Sequence, residues 1–519
     1  MKQRTPVLIA LLALAAWLVL MFANLFLGEL NQDEGWYLYA ARLVSEGELP
    51  FRDFAFTQGP MLPLVYALAQ PLVDAWGVGG GRALTALLGL AAALAAAALA
   101  GRIAPPGRKE AAALFAFILI AVNVYHSYFT TVVKTYSLCA LLLAKGLLVV
   151  VMARERRSTA LFAWAGFVLA AAAATRITTG LALATVGLCL LCNRKANGDR
   201  AWIAFGLGGA TGLAIFLGLF YALAPESFRF FLLDYHAYRE AGGLFSTLAF
   251  KLGLVSRVTQ AYLAAIALGV GLVVLRLVGL ARGEGPRDCF VVTLWLTLAG
   301  IALVQAAAPF PYDDYQVPIF PIFAALLAAA VFRLPALAAP RMAGAALWLA
   351  LLLSGAAALS SPVNQSWMIV GRDRIWWRMR EQPALLQLRD AARLVRERSG
   401  DARELLTQDT YLAVEAGLRV PRGWEMGVFS YYPDWPRDRA EPLRVVNAEM
   451  LHEQLASSDA RVAALSDYAF SIAAPAVAPL AVADQQELVA LLERRFTLAE
   501  TIPYFGQGNT TLRLYTRAP

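Results

Sequence analysis

The chain has 519 residues, 59% of them hydrophobic and 16% charged, with a mean hydropathy of +0.57. Soluble domains carry about 25% charged residues, so a wholly soluble protein is excluded and most of this chain belongs in a membrane. The formal net charge of +8 does not point to nucleic acid: no basic, aromatic-interleaved segment accompanies it, and lysine and arginine collect in the cytoplasmic loops of membrane proteins.

The first element is the apolar stretch Val7 to Leu27, preceded by Lys2 and Arg4. It exceeds the roughly 7–15 residues of a signal-peptide core, and no small-residue cleavage pattern follows, so it reads as a retained anchor. A crossing helix needs roughly 20 apolar residues. Candidate spans on that criterion are residues 6–28, 80–101, 110–126, 129–152, 159–175, 177–192, 201–223, 252–279, 289–308, 315–333 and 341–361, about eleven in all. A further apolar segment, 60–76, carries Pro60, Pro63, Pro71 and Asp74. If it lies flat and the N-terminus is cytoplasmic, the basic loops 102–109, 154–157, 194–200, 276–287 and 333–341 all face the cytoplasm. If it crossed, all of them would face outward, against the charge rule. Segment 60–76 is therefore expected to be an interfacial helix. The C-terminus then lies outside the cytoplasm, on the periplasmic side of a bacterial inner membrane.

From about residue 362 the composition changes, and charged residues become frequent. Residues 387–398 have an amphipathic helical pattern, with Leu388, Ala391, Leu394 and Val395 on one side. Strand-like runs at 404–407, 462–465, 496–501 and 510–515 alternate with helical stretches near 409–417, 448–456 and 485–495. This alternation predicts a soluble α/β domain over 362–519, following a transmembrane domain over 1–361. The segment Arg372 to Arg380, with Trp376 and Trp377, reads as an interface anchor. The four cysteines, Cys139, Cys189, Cys192 and Cys289, lie in or beside apolar runs. The Cys189-Leu-Leu-Cys192 spacing lacks a second pair, so it is not read as a redox or metal motif.

The stretch Asn31-Gln32-Asp33-Glu34-Gly35-Trp36-Tyr37-Leu38-Tyr39 places two adjacent acids directly after the first span. A solvated acid pair costs little at a membrane interface. The context argues for more than that. Trp36, Tyr37, Tyr39 and Arg42 follow at helical spacing, and a long loop leads through Arg52-Asp53 to Gln58-Gly59-Pro60. Cations on the outer side are few: Arg176 between two apolar runs, Lys134 at the start of the fourth span, and Arg52 in the first loop. Each suits a phosphate group, or else snorkels to the interface. Residues 309–321 carry Tyr312, Asp313 and Asp314. Acids there suit sugar hydroxyls, a substrate amino group or a divalent cation. The pattern Asp234-x-His236-x-x-x-Glu240 is a weaker cation candidate. Gly79-Gly80-Gly81 lacks the Lys-Ser/Thr of a phosphate loop, which argues against ATP or a nucleotide sugar.

The acid pair after the first span, the run Tyr37-Leu38-Tyr39-Ala40-Ala41-Arg42-Leu43 and the Gly47-x-x-Pro50 turn together resemble the GT-C polyprenyl-phosphate-sugar glycosyltransferases. Within that group the likeness is to the protein O-mannosyltransferase-like and aminoarabinose-transferase-like enzymes, over roughly residues 1–335. The resemblance implies a polytopic α-helical membrane fold with juxtamembrane helices in the first outer loop. It implies an acidic catalytic residue there and single displacement with inversion at the anomeric carbon. Carried onto this sequence, Asp33 is the general base, and Glu34 orients the acceptor, holds a cation or points away. Arg176, Lys134 and Arg52 meet the donor phosphate, and Asp313, Asp314, Tyr312 and Tyr37 meet sugar, acceptor or cation. Gln58-Gly59-Pro60 stands where the aminoarabinose branch has a Lys-Pro step, so that lysine–phosphate contact is not carried over. Asp313 and Asp314 stand where the family often has His or Lys. Sugar transfer needs a base for the acceptor proton and cations for the leaving phosphate, and a carboxylate near its ordinary pKa of about 4 is a weak base at neutral pH.

The expected activity is therefore that of a glycosyltransferase taking sugar from a polyprenyl-phosphate donor to a lipid, protein or polysaccharide acceptor. No cofactor is demanded, and a divalent cation held by the acids stays open. Two other readings stay open. A transporter or flippase of lipid-linked glycans would more often show internal repeats and intramembrane charges, and neither is evident. An oligosaccharide ligase or oligosaccharyltransferase shares the same broad architecture.

Overall fold

The computed structural model describes residues 4–238, 243–279, 288–309, 311–359, 382–470, 477 and 480–517. The Arg372 to Arg380 segment, Glu240 and the boundary expected at 361/362 lie outside the described residues.

The chain is mostly helical. Helix α1 (Arg4–Leu27) leads into α2 (Gln32–Ser45), the short α3 (Met61–Ala67) and the long α4 (Gln70–Ile103). Then come α5 (Lys109–Ala121), α6 (Val124–Phe129), α7 (Tyr136–Arg156), α8 (Thr159–Thr175) and α9 (Leu181–Cys192). Helix α10 (Ala201–Leu223) is followed by α11 (Leu244–Ala261), α12 (Leu263–Leu277), α13 (Cys289–Ala307), α14 (Phe320–Val331) and α15 (Pro340–Leu359).

Six of these helices, α1, α4, α7, α10, α13 and α15, are long and apolar enough to cross a membrane. The count is seven if α11 and α12, bent by 94° at their junction, form one broken span. Every expected span has a helix, but an eleven-span count is not reached by helix length. Helices α5, α8, α9 and α14 have only 13, 17, 12 and 12 residues, short of the roughly 20 a crossing needs. The chain is a multi-pass membrane protein.

Segment 60–76 is not part of a straight span. It holds α3 and the first turns of α4, which kinks at Gly77 (φ 59°, ψ −142°). This left-handed backbone favours glycine. Beyond the kink the free N–H of Val78 donates to Glu415 Oε2 at 2.8 Å. Leu68 is 85% exposed and Trp76 58% exposed.

The C-terminal part holds α16 (Ala384–Ser399), α17 (Thr410–Ala416), α18 (Ala448–Ser457) and α19 (Val482–Glu493). Its three strands, β1 (Val462–Leu465), β2 (Phe496–Phe505) and β3 (Thr510–Arg517), form one antiparallel sheet in the order β1-β3-β2. The strand expected at 404–407 is reduced to single bridges, Glu404 to Arg419 and Leu406 to Ala463. This part does not keep its core to itself. Leu385, Tyr411, Leu412, Trp424 and Leu514 share one apolar cluster with Leu38, Phe56, Tyr66 and Phe231. Helix α2 lies against α17 so closely that a Cβ on Gly35 would collide with the backbone N of Tyr411. The Tyr39 hydroxyl accepts from Val420 N–H at 3.0 Å, and Arg42 Nη1 donates to Leu418 O at 3.0 Å.

Glu425 is buried in this layer, and burial lifts its carboxyl from about 4.5 to about 7, although Gly423 N–H donates to it at 2.8 Å. The folded state keeps a proton that the unfolded chain releases above about pH 4.5, so this contribution to stability is lost as pH rises through about 7. Glu425→Gln, which stays neutral, should melt a few degrees above wild type near pH 8, with the gap closing toward pH 5. A difference independent of pH in a thermal melt of the solubilised protein would contradict this.

Candidate functional site

The site is built on the first turn of α2. Asn31 is the N-cap, and its Oδ1 accepts from Asp33 N–H at 3.0 Å. Glu34 closes the capping box by accepting from Asn31 N–H at 3.1 Å. The same carboxylate, fully buried, takes two prongs of the equally buried Arg82, from Nε at 2.7 Å and Nη2 at 2.6 Å. It also accepts from Val133 N–H at 3.2 Å. Arg82 spends its remaining donors on the carbonyls of Asn24, Leu25, Gly28 and Glu29, which close the end of α1. Gln32 is fixed from the other side: its N–H donates to Gln507 Oε1 at 2.7 Å and its Nε2 to Asp409 Oδ1 at 2.9 Å.

With Glu34 turned inward, Asp33 faces a cavity of about 150 Å³. Trp36 Nε1 donates to Asp33 Oδ1 at 3.2 Å, and Lys134 Nζ sits 3.2 Å from Oδ2. The same ammonium lies 3.1 Å from Asp314 Oδ2, so Lys134 bridges two carboxylates across the cavity. Arg176, on the turn between α8 and α9, lies between the rings of Tyr136 and Tyr315, 4.9 Å from each centroid, and donates to Thr135 Oγ1 at 3.0 Å. Its Nε and the Oδ1 of Asp314 are buried without hydrogen-bond partners. Unpaired buried polar atoms are costly in a finished interior, and here both belong to residues that line the cavity. Tyr37 and Tyr312 also line it. Burial and the nearby Asp33 hold the Tyr37 phenol well above its ordinary pKa, so it stays a proton donor.

An apolar groove of about 300 Å³ adjoins the polar cavity and shares Gln58, Arg176 and Tyr315 with it. Its other side is Ile177, Leu232, Leu233 and Val304. Ile177, Leu233 and Val304 are largely exposed, as lipid-facing residues would be.

Of the expected site residues, Asp33, Lys134, Arg176, Asp314, Tyr312 and Tyr37 come together. Three do not line the cavity. Glu34 is consumed by Arg82 and the cap. Arg52 pairs with its neighbour Asp53 at 2.7 Å on the loop surface. Asp313 turns away to Arg257 Nε at 3.0 Å and the Tyr125 hydroxyl at 2.7 Å. No divalent-cation site is established at the acids. Lys134 already stands between Asp33 and Asp314, and no group of three His, Cys, Asp or Glu among the described residues could hold a metal. His236 contacts the Thr57 carbonyl at 2.9 Å instead. Sequence reasoning missed Arg82, and it missed Met426, Phe429, Tyr468 and Gln507, which bring the C-terminal part to the cavity wall.

No protein-family model matches the chain, and no curated protein sequence does. Its structure is similar to that of ArnT from Cupriavidus metallidurans bound to undecaprenyl phosphate, at a TM-score of 0.59 and 14% identity, covering 98% of this chain and 97% of that one. The apo state of the same protein gives 0.60 at 15% identity, over 97% of both chains. The chain therefore has an ArnT-like fold. The oligosaccharyltransferase of Archaeoglobus fulgidus, solved in complex with Zn and sulfate, also matches, at 0.51 and 14% identity, over 99% of this chain and 73% of that one. The likeness to ArnT runs through the C-terminal part as well as the helices.

Leaving one charge of the Glu34–Arg82 pair buried and alone should cost about 3–5 kcal/mol. Glu34→Ala and Arg82→Leu should each sharply lower the melting temperature and the yield of folded protein. Asp33→Asn, at a partly exposed position, should move the melt little. A normal melt for Glu34→Ala would contradict the assignment of Glu34 as a structural acid.

Proposed function

We propose that the protein is an inverting glycosyltransferase. It moves a sugar from a polyprenyl-phosphate donor to an acceptor at the extracytoplasmic face of a bacterial inner membrane, with Asp33 as general base. The observation that carries this reading is a single one. A carboxylate, an ammonium and a guanidinium share one polar cavity, and an apolar groove adjoins that cavity at the guanidinium. The ArnT likeness supports it, because that protein was captured with undecaprenyl phosphate.

The chemistry then distributes over named groups. The acceptor hydroxyl gives its proton to Asp33 as its oxygen attacks the anomeric carbon. The bond from that carbon to the phosphate oxygen breaks on the opposite face, inverting the centre. The leaving phosphate gains charge, and Arg176 and Lys134 meet it. Lys134 exchanges a carboxylate for the phosphate when donor binds, which frees Asp33 for the acceptor. Asp314, Tyr312 and Tyr37 hold sugar or acceptor hydroxyls. The groove of Ile177, Leu232, Leu233 and Val304 takes the first prenyl units.

The orientation has its own support. Arg102 pairs with Glu155, Arg108 bonds the carbonyls of Phe332 and Leu334, and Arg154 pairs with Asp288. These contacts gather the basic helix ends at the side of the bundle away from the cavity. Basic ends favour the cytoplasm, which supports a reading in which the cavity and the domain of residues 362–519 face the extracytoplasmic side.

Loss of a general base typically costs about 10²–10⁴ in rate. Asp33→Asn should lower sugar transfer from a polyprenyl-phosphate sugar by that order while the protein stays folded. Full activity in the variant would sink the assignment. Movement of labelled glycan lipid across liposomes without sugar transfer would replace it with a flippase.

A further inference from the structure

Helices α12, α13 and α14 enclose a second apolar groove, of about 450 Å³, at the end of the bundle away from the cavity. Val270, Val273, Trp295, Phe323 and Leu327 form its walls, and Arg276 and Arg333 also line it. Arg276 lies in the last turn of α12, and Arg333 lies just past the end of α14. Both are half-buried.

Neither arginine has a carboxylate partner among the described residues. Arg276 Nε is buried with no hydrogen bond, and Arg333 Nη2 reaches only the Ile103 carbonyl, at 3.5 Å. Asp288, the acid at this end of α13, is already held by both prongs of Arg154, at 2.9 and 3.0 Å. The two guanidinium groups repel one another, and Asp288 offsets part of the charge at Arg333 from a distance. Two arginines with no carboxylate in contact among the described residues, on an otherwise apolar groove, call for a ligand that is anionic at one end and hydrocarbon along its length.

We propose that this groove binds an anionic phospholipid, its phosphate bridging Arg276 and Arg333 and one acyl chain lying along α12 to α14. Val270 and Val273 are 58% and 55% exposed, so the groove is open sideways, where the bilayer supplies the chain. Guanidinium takes phosphate through two parallel hydrogen bonds, and basic pockets between membrane helices are where acidic headgroups settle. The site is separate from the catalytic cavity. Asp314 precedes α14 and Arg333 follows it, and the 12 residues of the helix alone span about 18 Å. In the proposed orientation it faces the cytoplasmic leaflet.

The test is native mass spectrometry of the full chain, purified in neutral detergent and supplied with phosphatidylglycerol or phosphatidylcholine. Phosphatidylglycerol should be retained about tenfold better than phosphatidylcholine, and the double variant Arg276→Gln/Arg333→Gln should lose that preference. Val273→Trp fills the groove from an exposed position and keeps both arginines, so it should also lower retention. Equal retention of the two lipids, or wild-type retention in both variants, would overturn the proposal. So would full displacement of phosphatidylglycerol by inorganic phosphate, because the acyl chain would then contribute nothing.

Discussion

The buried pair of Glu34 and Arg82 fixes the rest of the site. A guanidinium with no exposure, placed inside a long apolar helix, is tolerable only if its charge is met and its donors are used. Here Glu34 meets the charge, and four carbonyls around the end of α1 take the other donors. The result ties α1, α2 and α4 together at one point. Adjacent residues on a helix point about 100° apart. Anchoring Glu34 against Arg82 therefore turns Asp33 the other way, into the cavity. The capping box makes the same choice locally, since its third residue must fold back on the cap.

The second constraint comes from the C-terminal part. It holds α2 from the opposite side through Gln507, Asp409, Tyr411 and Val420, and its apolar core is continuous with that of the first loop. A loop carrying a proposed catalytic acid is thereby clamped between a membrane helix bundle and a sheet-bearing layer. Such clamping suits a site whose groups must keep their places. Asp33, Lys134 and Asp314 come from segments nearly 300 residues apart in sequence, yet one ammonium joins them.

Much of this was legible in the sequence, for identifiable reasons. Ionisable residues between apolar runs are rare, so Asp33, Lys134, Arg176 and Asp314 stood out, and all four line one cavity. Strands β2 and β3 were legible from β-branched and aromatic residues, and β1 from a short apolar run. Asp33 was legible as the base, but the structural role of Glu34 was left open, although Asn31-x-x-Glu34 is a capping pattern and Arg82 interrupts an apolar run; together they mark Glu34 as structural. Asp313 and Asp314 are adjacent like the first pair, and which one faces the cavity depends on the turn before α14. Met426, Phe429, Tyr468 and Gln507 carried no signal, because their place depends wholly on how the C-terminal part docks. Helix lengths also resisted prediction: hydropathy finds an apolar run, but packing decides where a helix such as α14 stops.

In the proposed reaction Arg176 and Lys134 receive a lipid phosphate beside Asp33. The most direct test of that step is the binding of undecaprenyl phosphate to the purified protein, measured alongside Arg176→Met and Lys134→Met variants of normal melting temperature. A charge-assisted hydrogen bond is worth about 1.5–3 kcal/mol. The account therefore predicts that each variant binds the lipid roughly tenfold or more weakly. Wild-type affinity in both variants would contradict it.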